Sequence, residues 1–448
     1  MKYFGTDGIR GKYGDFEIRE PFFKALGFAA AEFVSENGGG KIVVGGDTRA
    51  STNTLKSAFC SGLMEGGAKF EDVGVLPTPA LAFCVIEKGA KLGAMITASH
   101  NPYTDNGIKF FDESARKIED GAQLALECKL EKYLDLSGGF SPSEFSPRTI
   151  AAGDFASVDY CKKMASIFPP EFLKGIKIAV DMANGATSGI SSEVFRRYGA
   201  EVFETAHSPD GFNINDGVGS QHPENLSDFC RRVGADVGFA HDGDGDRVVV
   251  CDETGSILEG EEILGLIALD AKSRGKLRSS AIVTTLQSNI GMDESLRENG
   301  IEVFRSGIGD RLVMREMLER SCNIGGENSG HFIFLDVSPC GDGLAAALSV
   351  LSVMVGKMEK LSKLRVGIKM YPAESKALSV VRKIPVEQAP NLSKAMGECN
   401  EILGADGRLL VRYSGTEKKI RLLVEGKDRE KVKKCMQLLC NAVDLDLK

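Results

Sequence analysis

No apolar run in the chain reaches the roughly 18 residues that a membrane-spanning helix needs, so no helical span is expected. The opening MKYFGTDGIRG carries no apolar stretch of signal-peptide length. There is no basic excess either: 55 Lys and Arg stand against 63 Asp and Glu, a net charge of −8. That balance argues against a general nucleic-acid binder and leaves room only for a local basic pocket suited to a small anion. No GxxxxGK[ST] is present, which argues against a P-loop nucleotide enzyme. No H-x-x-x-H or mixed Cys/His cluster is present, which argues against a zinc site. Eleven cysteines occur, an odd number, with no CxxC among them. Several sit inside apolar runs, such as Cys84 in LAFCVI and Cys251 in VVVCDE. They read as reduced, buried cysteines of a cytoplasmic protein.

What is there is an α/β chain. Its 448 residues correspond to about three domains at roughly 150 residues each. Such domains bury a core without disulfide or metal staples. Short β-rich runs end in clusters of Gly, Asp, Asn or Ser and give way to helical stretches. KIVVGGDTRAS (41–51) precedes TLKSAFCSGLMEGGA, where Leu55, Phe59 and Leu63 form one apolar stripe. KIAVDMANGATS (177–188) and AIVTTLQSNIGM (281–292) repeat the plan. Strands interleaved with helices imply mostly parallel or mixed sheets, whose ligands bind beyond the carboxyl ends of the strands. The Ser/Pro/Gly-rich SGGFSPSEFSPRT (137–149) reads as a linker, with further boundaries near 252 and 365. The fold class expected is α/β, with three similar α/β domains built on mixed sheets plus a smaller α+β C-terminal domain. The last closes on a helix whose Val432, Cys435, Met436 and Leu439 share one face.

Five motifs carry chemistry. HDGDGDR (241–247) lies between two β-like runs and spaces Asp242, Asp244 and Asp246 with glycines that let three carboxylates converge. Hard oxygen ligands in a tight loop suit Mg²⁺. Three carboxylates and a divalent cation leave one negative charge, which Arg247 cancels. An EF-hand also begins D-x-D-x-D, and Glu253 falls at its twelfth position, but Arg247 stands where it needs Gly. An aspartyl-phosphate phosphatase, with Asp242 as nucleophile, stays open at this point. A solvated acidic turn is disfavoured, because three carboxylates at that spacing repel one another without a cation. TASHNPYTDNGIKFF (97–111) follows the apolar run LGAMI. It offers Ser99 as a nucleophile beside His100, with Lys109 as a source of a proton or of positive charge; an Asn-Pro turn with a capping serine reads equally well from this segment alone. GGENSGH (325–331) crowds Glu327, Ser329 and His331 between glycines and suits the vicinal hydroxyls of a sugar, though alone it reads as a surface turn. RYSGTE (412–417), followed by Arg421, offers Arg412 to an anion together with hydroxyls and N–H groups from Ser414, Gly415 and Thr416. FGTDGIRG (4–11) sets Arg10 between glycines.

In this order, together with NIN at 213–215, these motifs resemble the α-D-phosphohexomutase superfamily along essentially the whole chain. FGTDGIRG, GENSGH and RYSGTE resemble its amino-sugar branch. The resemblance implies four domains around a central cleft: 1–150 (phosphoserine, catalytic), 151–252 (metal-binding), 253–365 (sugar-recognition) and 366–448 (phosphate-binding). It implies that Ser99 is a phosphoserine and that Mg²⁺, one per subunit, is held by Ser99's phosphate with Asp242, Asp244 and Asp246. Glu327 and Ser329 would read sugar hydroxyls, and Arg412, Ser414, Gly415, Thr416 and Arg421 would hold the idle phosphate. Lys109 and His331 match positions with acid/base or substrate-contact roles, while His100, Arg10 and Arg247 would lie beside the reacting group. The activity implied is interconversion of glucosamine 6-phosphate and glucosamine 1-phosphate through a sugar 1,6-bisphosphate, for UDP-N-acetylglucosamine and peptidoglycan precursor synthesis. Phosphomannomutase/phosphoglucomutase is the alternative. The partner expected is a small-molecule phosphosugar, with no nucleic acid and no membrane, in a monomer or homodimer. Three departures stand out. Gly46 falls where relatives commonly carry Lys or Arg, His241 where Phe is common, and Lys418 and Lys419 where Pro usually follows SGTE.

Overall fold

Strand-forming runs rich in Val, Ile and Ala pair into four sheets in a computed structural model that describes residues 1–136, 155–414 and 418–448. The expected linker at 137–149, with Gly415 and Thr416, lies outside the described residues. The first sheet comprises β1 (Ile9–Lys12), β2 (Lys41–Gly46), β3 (Lys69–Val75), β4 (Leu92–Ile96) and β5 (Asp105–Asp112), in the order β1-β5-β4-β2-β3. The second comprises β6 (Lys177–Asp181), β7 (Glu201–Thr205), β8 (Val237–His241) and β9 (Val248–Asp252), ordered β7-β6-β8-β9. The third comprises β10 (Ala281–Thr285), β11 (Glu302–Ser306), β12 (Ile324–Gly326) and β13 (Phe332–Phe334), ordered β11-β10-β12-β13. A three-stranded antiparallel sheet of β14 (Ala373–Ser379), β15 (Gly407–Tyr413) and β16 (Lys419–Gly426), ordered β14-β16-β15, ends the series.

The first three sheets share one plan. Two strands flank a central one in parallel, and the next strand returns antiparallel beside the last of them; in the second and third sheets that strand is the edge, and in the first β1 adds antiparallel outside it. Strands β2, β4, β8 and β10 are buried throughout or nearly so, as the near-continuous apolar runs of covered parallel strands require. In the helix Ala50–Glu65, Leu55, Phe59 and Leu63 are fully buried, each contributing about 1.5–3 kcal/mol of burial. The C-terminal helix Arg429–Leu447 starts on Asp428, whose carboxylate accepts from Glu430 N and Lys431 N. Its predicted apolar face is buried.

One hydrophobic core runs through the first three units, joining Leu81 and Met95 to Phe195 and Val250 and on to Ile267 and Leu351. The fourth unit keeps its own core, with Leu392, Ile420, Leu422 and Met436. It meets the third through Arg408, which donates to Leu286 O (2.9 Å) and Ser288 O (2.7 Å). Nine of the eleven cysteines are buried, but Cys128 is exposed and Cys440 half-buried, a correction to the uniform burial expected. No helix among the described residues is long and apolar enough to cross a membrane.

Two of the sequence departures have local causes. A Cβ at Gly46 would stand 2.4 Å from Thr52 Cγ2 and 3.2 Å from Ile96 O, so with Thr52 placed as it is in this chain a side chain there would require its neighbours to shift. His241 is fully buried, with its Nε2 2.9 Å from Ser191 Oγ and its Nδ1 3.4 Å from Arg247 O. Burial pushes its imidazole down to about 4, so it is neutral at pH 7 and fills an aromatic's place with a hydrogen-bonded ring.

Candidate active site

The shared plan of the first three sheets places a loop in the same position three times. Each loop leaves the last parallel strand of its sheet and returns as the antiparallel strand beside it. Residues 97–104 link β4 to β5, 242–247 link β8 to β9, and 327–331 link β12 to β13. These are the Ser99, aspartate and GENSGH motifs. In the fourth sheet the RYSGTE motif likewise joins β15 to β16.

Ser99 follows β4 with φ 54° and is 1% exposed. A non-glycine residue in the left-handed region costs about 1 kcal/mol or more, so surrounding contacts must hold it there. Its Oγ donates to Asp242 Oδ2 at 2.6 Å, and His100 Nδ1 lies 3.4 Å away. Burial, Arg247 and Arg10 push the His100 imidazole down to about 4, leaving it neutral at pH 7.

Asp242, Asp244 and Asp246 are all buried, which rules out a solvated turn. Glycine is required between them. A Cβ at Gly243 would stand 2.6 Å from Ser99 O, and Gly245 has φ 71° with Thr187 Cγ2 2.5 Å from its would-be Cβ. The carboxylate ligand atoms lie within 4.8 Å of one another. Lys109, on β5, donates from Nζ to Asp244 Oδ2 (2.7 Å) and Asp246 Oδ2 (2.9 Å). Burial pulls its ammonium down, but Asp244, Asp246 and Asp7 outweigh that and raise it overall. Burial likewise raises Asp246, yet Lys109 and His331 carry it well below the usual carboxylate range. Asp242 has no such lysine. Burial, then Asp246 and Asp244, push it up to about 8. Asp244 Oδ1 and Asp246 Oδ1 are buried without a hydrogen-bond partner. Unsatisfied hard oxygens converging beside a carboxylate short of positive charge fit a divalent oxygen-loving cation such as Mg²⁺.

Cationic groups ring the triplet. Arg247 places Nε 3.9 Å from Asp246 Oδ1, and its backbone N donates to Asp242 Oδ1 at 3.2 Å. His331, buried in the third unit, sets Nδ1 3.7 Å from Asp246 Oδ1 and Nε2 3.3 Å from Asp310 Oδ2. Despite burial, Asp246 and Asp310 raise its imidazole. Lys117 bridges Asp310 (2.6 Å) and Asp7, and Asp7 also pairs with Arg10. Glu327 accepts from Gly309 N at 3.0 Å, and burial raises its carboxyl. Ser99, His100, Lys109, Arg10, Arg247, His331, Glu327 and the aspartates thus assemble from three units.

Other predicted residues lie elsewhere. Ser329 is exposed on its loop. Arg412 and Arg421 stand opposite each other on β15 and β16 of the fourth unit. Burial, then Arg421, lowers the Arg412 guanidinium, and its buried Nε lacks a hydrogen-bond partner. Ser414 is buried, and its carbonyl accepts from Lys383 Nζ at 2.6 Å.

Sequence reasoning missed Asp7, although it lies in FGTDGIRG three residues before Arg10, and missed Lys117 and Asp310, which lie in none of the five motifs. It also missed Arg49, Asn215 and Thr78. Arg49 and Asn215 sit within the GGDTR and NIN runs, which carry a signal of their own; Thr78, in LPTPA, carries none.

Models of the phosphoglucomutase/phosphomannomutase family match the chain four times: its alpha/beta/alpha domain I over residues 1–135, domain II over 158–255, domain III over 259–371 and its C-terminal domain over 374–442. The phosphoglucosamine mutase of Aeromonas hydrophila is 41% identical over 444 residues, 99% of each chain. Among solved structures, a phosphoglucomutase/phosphomannomutase family protein from Burkholderia thailandensis superposes with a TM-score of 0.81 at 25% identity, covering 99% of this chain and 97% of that one. Aspergillus fumigatus N-acetylphosphoglucosamine mutase shares the fold at TM-score 0.64 and 16% identity, covering 100% of this chain and 96% of that one. With all four domain models aligned in sequence and relatedness running end to end, the chain belongs to the phosphoglucomutase/phosphomannomutase family and is an enzyme, an intramolecular phosphotransferase of the isomerase class.

Proposed function

We propose that the enzyme interconverts glucosamine 6-phosphate and glucosamine 1-phosphate, with Ser99 carrying the phosphoryl group. The observation that carries the chemistry is the buried Ser99 hydroxyl held 2.6 Å from Asp242 at the edge of a carboxylate triplet. The choice of sugar rests on the relative named phosphoglucosamine mutase, which matches the whole chain.

In the forward half-reaction the Ser99 Oγ–P bond breaks and a P–O bond forms to the sugar's free hydroxyl oxygen, giving a 1,6-bisphosphate. The bisphosphate turns over, and its other phosphoryl group returns to Ser99 Oγ. His331, in its neutral form, is assigned the proton that leaves the attacking hydroxyl, and Lys109, an ammonium held between Asp244 and Asp246, is assigned the proton that goes to the departing oxygen. Arg10 and Arg247 orient the transferring group's oxygens, and neutral His100 packs beside Oγ without adding charge. Asp242, Asp244 and Asp246 would hold Mg²⁺, which supplies charge neutralisation at the transferring phosphoryl group. The Aspergillus fumigatus enzyme was solved with GlcNAc-6P and magnesium, in keeping with such a site.

Glu327 and Ser329 are assigned to sugar hydroxyls. Arg412 and Arg421, with Ser414, Gly415 and Thr416, are assigned to the idle phosphate, which would relieve the repulsion between two facing guanidiniums. A fourth unit with a core of its own suits a clamp that must release and regrip either end of a bisphosphate. The functional units are read as 1–150 for phosphoserine, 151–252 for metal, 253–365 for sugar and 366–448 for phosphate. The reaction would serve UDP-N-acetylglucosamine supply in the cytoplasm, where mostly buried free thiols stay reduced.

The family models and the Burkholderia protein carry the names phosphoglucomutase and phosphomannomutase, which keeps a second reading in view. A coupled assay across glucosamine, glucose and mannose phosphates with Mg²⁺ and a bisphosphate primer decides between them. Glucosamine 6-phosphate is expected to show the highest kcat/KM, by about tenfold or more, the scale of a few well-placed polar contacts. A clear preference for glucose or mannose phosphate would reject the sugar assignment.

A further inference from the structure

Two side chains outside every predicted motif role cross between the first two units in opposite directions. Asn215, from the second unit, is 7% exposed. Its Nδ2 donates to Ser99 O at 2.9 Å and to Asn101 O at 3.0 Å. The same two carbonyls accept from Arg49 Nη2 at 2.8 and 2.9 Å. Arg49 is itself fixed, Nε to Asp47 Oδ2 at 2.8 Å, and the pair has no exposed side-chain surface. Each carbonyl thus receives one donor from each unit, which occupies the two lone pairs it has. These are the carbonyls of the turn that holds Ser99 in the left-handed region.

Thr78 reaches the other way, from the start of the helix Thr78–Glu87 in the first unit. Its Oγ1 donates to Asp244 Oδ2 at 2.5 Å, and its N–H donates to Asp244 O at 2.8 Å. Thr78 is buried. With Lys109 also on Oδ2, the oxygen left without a partner is Oδ1. Outer-shell hydrogen bonds of this kind orient a ligating carboxylate and typically matter about 10–100-fold in metal affinity.

We propose that Asn215 and Thr78 are reciprocal positioning residues. Asn215 of the second unit sets the backbone of the first unit's serine turn, and Thr78 of the first unit aims Asp244 Oδ1 of the second unit's loop at the cation. Serine and cation site are then in register only when the two units are seated on each other. The inference rests on the phosphoserine and metal readings above. It adds that neither half of the site is preorganised by its own unit alone.

The test uses the full chain, dephosphorylated, with Mn²⁺ as the probe and its dissociation constant read by electron paramagnetic resonance. Thr78→Val keeps the shape and removes the hydroxyl; it is expected to weaken Mn²⁺ about tenfold, while Thr78→Ser stays within about twofold of the native chain. Asn215→Asp keeps the shape but turns the donor into an acceptor. It is expected to leave Mn²⁺ affinity within about twofold and to lower kcat about tenfold with KM nearly unchanged, because it disturbs the nucleophile rather than sugar binding. Asn215→Ala gives the same reading should the aspartate fail to fold. Native Mn²⁺ affinity in Thr78→Val, or native kcat in both Asn215 variants, overturns the proposal. So does equal weakening of Mn²⁺ by Thr78→Val and Thr78→Ser, which would mark a packing effect. A native chain that binds no Mn²⁺ removes the metal reading itself, and the Thr78 half of the proposal with it.

Discussion

Ser99→Ala is expected to lower the rate of isomerisation by at least about 10³-fold, the scale on which losing a covalent nucleophile is felt. The buried hydroxyl has one close carboxylate partner, Asp242 Oδ2, and no second serine or threonine hydroxyl donates to that atom among the described hydrogen bonds. Alanine removes the oxygen that makes and breaks the bond to phosphorus, and no neighbour is placed to replace it. His100 is neutral, and the Lys109 ammonium is engaged by two carboxylates. The fold should tolerate the change. Alanine lacks only the hydroxyl, and the turn carbonyls keep their Arg49 and Asn215 donors. Steady-state turnover with an unaltered thermal midpoint checks both halves of the expectation.

Asp242→Ala is expected to lower kcat by about 10²–10³-fold and to weaken Mn²⁺ binding by about a hundredfold or more, the upper end for a lost contact at a metal. Asp242 joins the two halves of the site: Oδ2 accepts from Ser99, and Oδ1 accepts from the backbone of Arg247. Its carboxyl is pushed up to about 8 by burial, Asp246 and Asp244, so in the metal-free chain the triplet is short of positive charge. Removing it leaves Asp244 and Asp246, already neutralised in part by Lys109, and one hard ligand fewer for the cation. Native Mn²⁺ affinity in this variant would remove Asp242 from the ligand set. Because its carboxyl, at about 8, carries little charge at pH 7, its removal relieves little repulsion, and the thermal midpoint is expected to change little or to fall slightly as Ser99 Oγ and the Arg247 N–H lose their acceptor.

What the sequence made legible were features local in the chain. The aspartate triplet shows itself because glycines alternate with the carboxylates, and the structure gives the reason: at Gly243 a side chain would strike Ser99 O. The stripe of Leu55, Phe59 and Leu63 and the face of Val432, Cys435, Met436 and Leu439 follow from helical spacing alone, and all are buried. Features made by distant residues stayed hidden. Thr78 meets Asp244 across 166 positions, and Asn215 meets Ser99 across 116. Asp310 reaches Lys117 and His331 from an element that nothing in the motifs links to them. Gly46 and His241 looked like losses against related sequences. In three dimensions Thr52 stands close against one, and the other is matched by Ser191. The shared position of the serine, aspartate and sugar loops, each between the last parallel strand and its antiparallel neighbour, could be read only once strand pairing was known.

The most direct measurement follows the phosphoryl group itself. The enzyme is charged with a ³²P-labelled sugar 1,6-bisphosphate and digested, and the labelled peptide is sequenced by mass spectrometry after acid and base treatment. Label on Ser99 that survives acid, and that chases into sugar phosphate when unlabelled substrate is added, is the result expected. Label that base releases from Asp242, or turnover with no label on the chain, would contradict the account.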